Sequence, residues 1–314
     1  MSDLSGGRYP RDMVGYGRDV PHARWPGDAR VAVQFVLNYE EGGENNILHG
    51  DAASEAFLSE IPGAVPFPGM RHINMESIYE YGSRVGFWRL LRMFDERQWK
   101  FTSFAVTSAL LRNPDAAYAM RASGHEIASH GLKWIDYTHV PVEIERAHIR
   151  EAVRLHTEIC GERPLGFYQG RMGPNTRALC MEEGGFVYDA DSYADELPYY
   201  VPDVTPGREG RPHLIVPYTL DANDMRFSTT SGFSQGEDFF VYLRDAFDQL
   251  WDEGAERPRM LSVGLHCRLV GRPGRARALA RFMDHIAARD RVWVARRIDI
   301  ARHWLATHPP APLA

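Results

Sequence analysis

Short runs of β-branched and aromatic residues alternate along the chain with longer segments in which apolar residues recur every three or four positions. Runs of the first kind predict buried strands, and segments of the second kind predict helices that bury one face. Eight runs predict strands, at 31–37, 101–106, 126–128, 165–168, 186–189, 214–217, 260–265 and 292–295. Helices are predicted at 76–94, 141–159, 237–251, 275–288 and 298–307, and further helix starts at Asn113-Pro114 and Gly173-Pro174.

This alternation of strands and helices is typical of one closed or nearly closed β/α barrel. The 314 residues are 44% hydrophobic, which is enough to bury a sizeable core, and no linker rich in proline, serine or charge interrupts the chain. We therefore expect a single catalytic barrel domain over residues 1–314. Within it we expect an N-terminal arm at 1–28, a long loop insertion at 38–75 and a flexible tail at 308–314.

The composition excludes several classes of protein. A net charge of -6 gives no electrostatic basis for binding nucleic acid. No stretch approaches the roughly 18 uninterrupted apolar residues of a membrane helix, and residues 1–19 lack the apolar core of a signal peptide, so we expect a cytoplasmic protein without membrane partners. Three cysteines without CxxC spacing indicate neither a disulfide framework nor a cysteine-rich zinc site. Thirteen histidines, however, raise the question of a metal site.

The polar residues that follow the predicted strands form the candidate site. In a barrel of this type, groups at the carboxyl ends of the strands meet at one face. These ends carry acids, histidines and an arginine, a set suited to amide hydrolysis: Asn38, Glu40, Glu41, His130, Arg171, Asp189, Asp191 and His266. Each also has a structural interpretation, since adjacent glutamates often form a solvated loop face and a single histidine or arginine can be a packing residue.

The order of these motifs resembles that of the polysaccharide deacetylases, carbohydrate esterase family 4. Asn38-Tyr39-Glu40-Glu41-Gly42 resembles the family's first motif, in which one acid is the base and the next is a metal ligand. Gly124–Trp134 resembles the second motif, with His130 at the first metal-binding histidine and Trp134 in place of the second. The resemblance implies a deformed (β/α) barrel of polysaccharide-deacetylase (NodB-like) type with seven to eight strands. It further implies that the third, fourth and fifth motifs contribute Arg171, Asp191 and His266.

Trp134 determines whether the sequence predicts a catalytic metal site. Catalytic zinc usually has three protein ligands and a water, whereas Glu41 and His130 would provide only two. An indole nitrogen has no lone pair to donate. We therefore predict a site with no metal and no cofactor.

Longer stretches resemble the PuuE-type allantoinases, the metal-independent branch of that superfamily. The likeness implies hydrolysis of the hydantoin ring of (S)-allantoin to allantoate in urate breakdown. The scissile nitrogen of this ring lies between two carbonyls, so the leaving group needs less help from a metal. The stretches that carry the likeness are 9–13, 24–30, 36–44, 129–137, 170–176, 217–227 and 264–273.

The resemblance and the residue chemistry together suggest roles. Either Glu40 or Glu41 is the base, with Glu40 at the family's base position, and His266 is the acid. Asp191 is expected to orient a catalytic group, and Arg171 either to hold the base or to stabilise the oxyanion. The residues expected to contact the ureide are Asn38, His130, Trp134, Asp221 and Asn223.

Three other functions stay open at this stage. One is a cyclic imide hydrolase acting on hydantoins, dihydropyrimidines or succinimide, which relies on the same leaving-group chemistry. Another is a metal-dependent polysaccharide deacetylase, and the third is a non-catalytic carbohydrate-binding barrel. The resemblance also implies a homo-oligomer, with a tetramer as one form, in which the long loop and the N-terminal arm would cover a subunit interface.

Overall fold

Nine strands form one sheet in the computed structural model, which describes residues 11–61 and 63–310. Eight of them follow the order β6-β7-β5-β4-β3-β2-β1-β8, all parallel except the β6–β7 pair. Their bounds are β1 (Val31–Tyr39), β2 (Thr102–Ala105), β3 (Glu126–Ser129), β4 (Gly166–Phe167), β5 (Tyr188–Asp189), β6 (Tyr199–Pro202), β7 (Pro212–Ile215), β8 (Arg259–His266) and β9 (Val292–Val294).

Helices cover the sheet and join most of its parallel strands. They are α1 (Ile73–Tyr81), α2 (Phe87–Glu96), α3 (Thr107–Arg112), α4 (Pro114–Ala122), α5 (Val142–Cys160), α6 (Thr176–Glu183), α7 (Gly236–Glu253), α8 (Pro273–Ala287) and α9 (Arg297–Thr307). A π-helical turn, Gly82–Gly86, connects α1 to α2. No helix in the described part of the chain is both long and apolar enough to cross a membrane.

Strand β1 is the centre of the fold. All nine of its residues are buried, which explains why its sequence is nearly continuous in apolar residues. One edge of β1 pairs with β8 over Val31–Asn38, and the other pairs first with β9 and then with β2. The carboxyl ends of β1 and β8 therefore lie side by side, with Asn38 opposite His266.

The predicted barrel is confirmed: its path has eight strands, within the seven to eight expected, and β9 pairs with β1 off this path. Each of the eight predicted strands is present. Strand β6 was not predicted, because its residues are part-exposed or exposed and because prolines lie before it, at Pro198, and at its end, at Pro202. The two outer strands of the path, β6 and β8, make no ladder with each other in the described residues. A single bridge between Asn223 and Gly264 covers part of the β8 edge instead.

The predicted helix at 76–94 is interrupted by the π-helical turn, and the predicted start at Gly173-Pro174 lies just before α6. The start at Asn113-Pro114 is confirmed. Two predictions fall partly outside the described residues: the N-terminal arm before residue 11, including Tyr9 and Pro10 of one motif, and the tail after residue 310.

Candidate active site

Glu40 lies at the centre of the candidate site, directly after β1, and is only 1% exposed. Its Oε1 is 3.3 Å from Nε2 of His130 and 3.6 Å from Nε2 of His266, and its Oε2 is 2.8 Å from Nη2 of Arg268. Burial works against ionisation, but the charge of Arg268 and the two imidazoles outweigh it and hold the pKa of Glu40 well below its usual range. Glu40 is therefore a carboxylate at neutral pH, with Oε1 directed at two imidazoles.

Glu41 is directed away from the cavity that Glu40 faces. Its Oε1 accepts a hydrogen bond of 3.1 Å from the backbone nitrogen of Arg268 and packs against Gly82, where an added Cβ would lie 2.4 Å from that oxygen. Burial, reinforced by the charge of Glu40, raises the pKa of Glu41 despite the nearby arginine. The two adjacent glutamates therefore have different environments, and only Glu40 reaches the cavity.

His266, the last residue of β8, is held by a buried aspartate that the sequence analysis did not identify. Nδ1 of His266 lies 2.6 Å from Oδ1 of Asp224, and the backbone nitrogen of His266 donates to Oδ2 of Asp224 at 2.8 Å. Val270 donates a third hydrogen bond, from its backbone nitrogen to Oδ2 at 2.9 Å. Burial lowers the pKa of His266, but Glu40 and Asp224 together raise it above its ordinary value. Because Nδ1 is engaged by Asp224, Nε2 is the nitrogen that faces Glu40.

Asp224 begins a 3-10 helix, Asp224–Ser228, whose N-cap is Asn223. The side-chain oxygen of Asn223 accepts from the backbone nitrogen of Met225 at 2.9 Å, which fixes the start of this turn. Gly264 of β8 allows the turn to approach, since a Cβ there would lie 2.2 Å from Nδ2 of Asn223. The sequence signal for Asp224 was an acid directly after a capping asparagine, seven residues beyond the predicted strand at 214–217.

His130 follows β3 and has hydrogen-bonding capacity to spare. Although the residue is buried, its Nδ1 has no hydrogen-bond partner within the described residues, and its Nε2 has the 3.3 Å contact with Oε1 of Glu40. Its ring packs against Tyr168, with 5.1 Å between the ring centroids, and it borders the cavity. Because buried polar atoms are normally paired, His130 is suited to bind a ligand or a water in the cavity.

Arg268 is the second site residue that the sequence analysis missed. It is fully buried, its Nε donates to the backbone oxygen of Leu58 at 3.0 Å, and its guanidinium lies 4.3 Å from the ring centroid of Tyr79 and 5.2 Å from that of Trp134. The available signal was a single arginine two residues beyond His266 in an otherwise apolar segment. Arg268, and not Arg171, is the arginine that contacts Glu40.

Arg171 instead joins the long loop to the cavity wall. Its Nη1 donates to Oε2 of Glu55 at 3.3 Å and to the backbone oxygen of Trp134 at 3.2 Å. Glu55 also accepts from the backbone nitrogens of Ala56 and Phe57, both at 2.9 Å, so this carboxylate fixes the local course of the loop. The predicted contact between Arg171 and the base is absent for this reason, because its guanidinium is already bound to Glu55.

Asp191 and Asp221 do not line the cavity. The ureide contact predicted for Asp221 is therefore wrong, and Asp191, which was expected to orient a catalytic group, binds backbone instead. Asp191 accepts from the backbone nitrogens of Gln169 and Gly170 at 2.6 and 2.7 Å, and thereby holds the turn that leads to Arg171. Burial beside Asp189 raises its pKa to about 7. Asp221 accepts a hydrogen bond of 3.0 Å from the hydroxyl of Tyr242 and lines a separate depression.

The cavity itself has a volume of about 530 Å³. Aromatic side chains form much of its wall, and Trp134 is stacked on Phe57 with 5.8 Å between the ring centroids. The hydroxyl of Tyr218 accepts a hydrogen bond of 2.9 Å from Nδ2 of Asn38. Of the ten predicted site residues, the cavity brings together seven: Asn38, Glu40, His130, Trp134, Arg171, Asn223 and His266.

The donor set does not fit a catalytic metal ion. Among the described residues, no three histidine, cysteine or acidic side chains form a group that could hold a metal. Trp134 takes the place that the family resemblance gives to a second histidine, and the guanidinium of Arg268 already provides a cation at Oε2 of Glu40. The chemistry available here is therefore that of a carboxylate, imidazoles and hydrogen-bond donors.

Comparisons with known proteins agree with the resemblance predicted from the motifs. The family model for polysaccharide deacetylase matches residues 75–180. A Schizosaccharomyces pombe protein named "Putative polysaccharide deacetylase" is 43% identical over 95% of this chain and 98% of its own length. The solved structure of Puue allantoinase has a TM-score of 0.95 and 59% identity, covering 97% of this chain and 100% of that one. A "probable Polysaccharide deacetylase" from Pseudomonas aeruginosa PAO1 has a TM-score of 0.93 and 59% identity, covering 96% and 100%.

Proposed function

Since the chain belongs to the polysaccharide deacetylase family, we propose that it is a hydrolase of cyclic amides that opens the ring of (S)-allantoin to give allantoate. One observation carries the choice of substrate: the 59% identity to the solved Puue allantoinase over nearly the whole of both chains. The cavity supports the reaction class, since it presents a charged carboxylate beside an imidazole that a second carboxylate holds.

Ring opening adds one water across a carbon–nitrogen bond. The water oxygen attacks the ring carbonyl next to the carbon that bears the ureido group, and the bond from this carbonyl to the ring nitrogen breaks. That nitrogen also adjoins the second ring carbonyl, so the charge that develops on it is delocalised. The carbonyl becomes a carboxylic acid, and the nitrogen takes a proton and ends as a ureido group. The ring holds the reacting carbonyl in one orientation, which favours attack.

Glu40 and His266 are the groups proposed to move protons. Oε1 of Glu40 accepts a proton from the attacking water, a contribution that is typically about 10²–10⁴-fold in rate. His266 carries a proton on Nε2 and gives it to the leaving nitrogen, while Asp224 stabilises the charged imidazolium through Nδ1. The short distance of 3.6 Å between Glu40 and His266 supports their action on the same substrate bond.

The remaining cavity residues are proposed to bind the ureide. A ureide alternates N–H donors with carbonyl acceptors, so it pairs with a wall that offers both. Nδ1 of His130 has no partner in the described residues, and Asn38 and Asn223 border the cavity, where the side-chain oxygen of Asn223 already accepts from the backbone nitrogen of Met225. Arg171 contributes a cation to the cavity lining, and Trp134 provides a flat surface for the ring.

The test is the production of allantoate from (S)-allantoin by the purified protein. We expect turnover by the wild type and by Glu143→Gln, an exposed control for the same chemical change, and a loss of at least about 10²-fold in Glu40→Gln. No allantoate, but turnover of succinimide, hydantoin or a dihydropyrimidine, would favour the cyclic imide hydrolase. Release of acetate from an acetylated glucosamine oligomer would favour a deacetylase.

We also propose that the protein is a homo-oligomer, with the long loop at the interface. Four apolar side chains on this loop and the start of α1 are more than half exposed: Leu48, Val65, Met70 and Ile73. Such exposed apolar surface is typical of a protein–protein contact. A mass of one chain, 35.7 kDa, in light scattering would contradict this proposal.

A further inference from the structure

The buried guanidinium of Arg268 connects Glu40, at the centre of the site, to the long loop. Nη2 lies 2.8 Å from Oε2 of Glu40, and Nε donates to the backbone oxygen of Leu58 in the long loop at 3.0 Å. Leu58 has φ +47, a left-handed conformation that is unusual for a branched side chain. Backbone conformations of this kind persist where surrounding contacts hold them, and the hydrogen bond from Arg268 to the Leu58 carbonyl is one such contact.

The charge of Arg268 also matters, because two of its neighbours are buried glutamates. Glu40 and Glu41 are both buried, and Nη1 of Arg268 is 3.5 Å from Oε1 of Glu41. Two adjacent buried carboxylates repel each other and lose their hydration, so a permanent cation is needed to keep one of them charged. The rings of Tyr79 and Trp134 pack against the guanidinium and fix its position.

We propose that Arg268 is a positioning residue that acts through Glu40. Its guanidinium binds Oε2, which keeps the carboxylate charged and leaves Oε1 directed at His130, His266 and the attacking water. In this role Arg268 supplies the fixed positive charge that a bound cation would otherwise provide. The catalytic consequence rests on the proposed function, whereas the electrostatic consequence does not and is tested separately.

The electrostatic consequence is a change in how stability depends on pH. In the wild type the pKa of Glu40 is lower in the folded than in the unfolded chain, so Glu40 contributes stability at neutral pH that is lost as pH falls toward the folded pKa. In Arg268→Met the buried Glu40 loses its permanent counter-ion, and burial raises its folded pKa. Glu40 then reduces stability at neutral pH, and this cost disappears as pH falls through the raised pKa.

Other ionisable groups lie near Glu40 and Arg268, so the experiment must distinguish the titration of Glu40 from theirs. Substituting Glu40 in the Arg268→Met background does so, because the surrounding groups are then the same in both variants. The groups concerned are Glu41, Glu44, Tyr79, His130, His266 and Cys267, with Asp224 behind His266.

The deciding experiment is thermal melting of the wild type, Glu40→Gln, Arg268→Met and the double variant between pH 5 and pH 8. We expect the double variant to melt higher than Arg268→Met at pH 8, and the deficit of Arg268→Met relative to the wild type to shrink toward pH 5. If Arg268 only fills space, the deficit will be the same at every pH and the double variant will melt no higher than Arg268→Met. That result would overturn the proposal.

Activity provides a second test and a safeguard if Arg268→Met does not fold. With allantoin, we expect Arg268→Lys to keep most of kcat and Arg268→Met to lose about 10²-fold in kcat, with KM little changed and the acid limb of the pH profile moved to higher pH. If Arg268→Met is not folded, a folded Arg268→Met/Glu40→Gln double variant supports the proposal, and an equally unfolded one contradicts it. A wild type without allantoinase activity would refute the proposed function while leaving the melting series decisive for Arg268.

Discussion

Replacing Asp224 by asparagine would remove the charge beside His266 while keeping nearly the same shape. Oδ2 of Asp224 accepts from the backbone nitrogens of His266 and Val270, and Oδ1 faces Nδ1 of His266. Asparagine has one acceptor oxygen. If this oxygen takes the two backbone donors, the amide nitrogen faces Nδ1, which must then accept a hydrogen bond. The doubly protonated imidazolium, the proposed proton donor, is therefore disfavoured.

The expected fall in the pKa of His266 follows from the hydrogen bond to Asp224 that is lost. A hydrogen bond to a charged group contributes about 1.5–3 kcal/mol, and 1.36 kcal/mol corresponds to one pKa unit, so the pKa of His266 should fall by about 1–2 units. Above that pKa the protonated fraction falls tenfold per unit. We therefore expect kcat at pH 8 to fall about 10- to 100-fold, and the alkaline limb of the pH profile to move about 1–2 units lower. The free energy of unfolding should fall by about 1–3 kcal/mol.

The assay measures allantoate formation by Asp224→Asn between pH 5.5 and pH 9.5, with kcat and kcat/KM determined separately. Asp245→Asn is the matched control, because Asp245 is an exposed aspartate outside the cavity. An alkaline limb at the same pH in Asp224→Asn and the wild type would refute the assignment of His266 as the acid.

Three further predictions concern the cavity. Glu40→Gln should lower kcat at least about 10²-fold. Glu41→Gln should lower kcat less than about tenfold, because burial already favours the neutral form of Glu41. The opposite ranking of the two kcat values would make Glu41 the base. Exhaustive dialysis against a chelator should leave kcat unchanged, and activity that is lost and then restored by zinc would contradict a metal-free site. Arg171→Met should release Glu55 and raise KM about 5- to 30-fold, with kcat largely retained, as steady-state kinetics on allantoin would show.

The location of the site could be predicted from the sequence because it depends on topology. Parallel strands joined by helices bring their carboxyl ends to one face, so the residues at the carboxyl ends of β1, β3 and β8 had to meet. The convergence of Glu40, His130 and His266 follows from this rule alone. Their distances of 3.3 and 3.6 Å do not, since they depend on the twist and register of strands far apart in the chain.

The errors arose where regular structure ends. Beyond a strand the side chains no longer alternate between faces, so the pattern could not show that Glu40 faces the cavity and Glu41 faces Gly82. The sequence pattern also could not show which charged side chains form ion pairs. Arg171 is bound to Glu55, a loop residue with no periodic neighbours, and this left the contact with Glu40 to Arg268. Asp221 was chosen for its chemistry, but Tyr242 of α7 holds it outside the cavity.

The central position of β1 has a consequence for the synthesis of the protein. Val31 pairs with Arg259, 228 residues later in the chain, and with Val292 of β9. At about 5–20 residues per second, β1 leaves the ribosome roughly 10–45 s before its main partner exists. During that interval an apolar, β-prone segment is available to other nascent chains. We expect the yield of folded protein to depend on growth temperature and chaperone supply more strongly than the stability of the finished barrel would suggest.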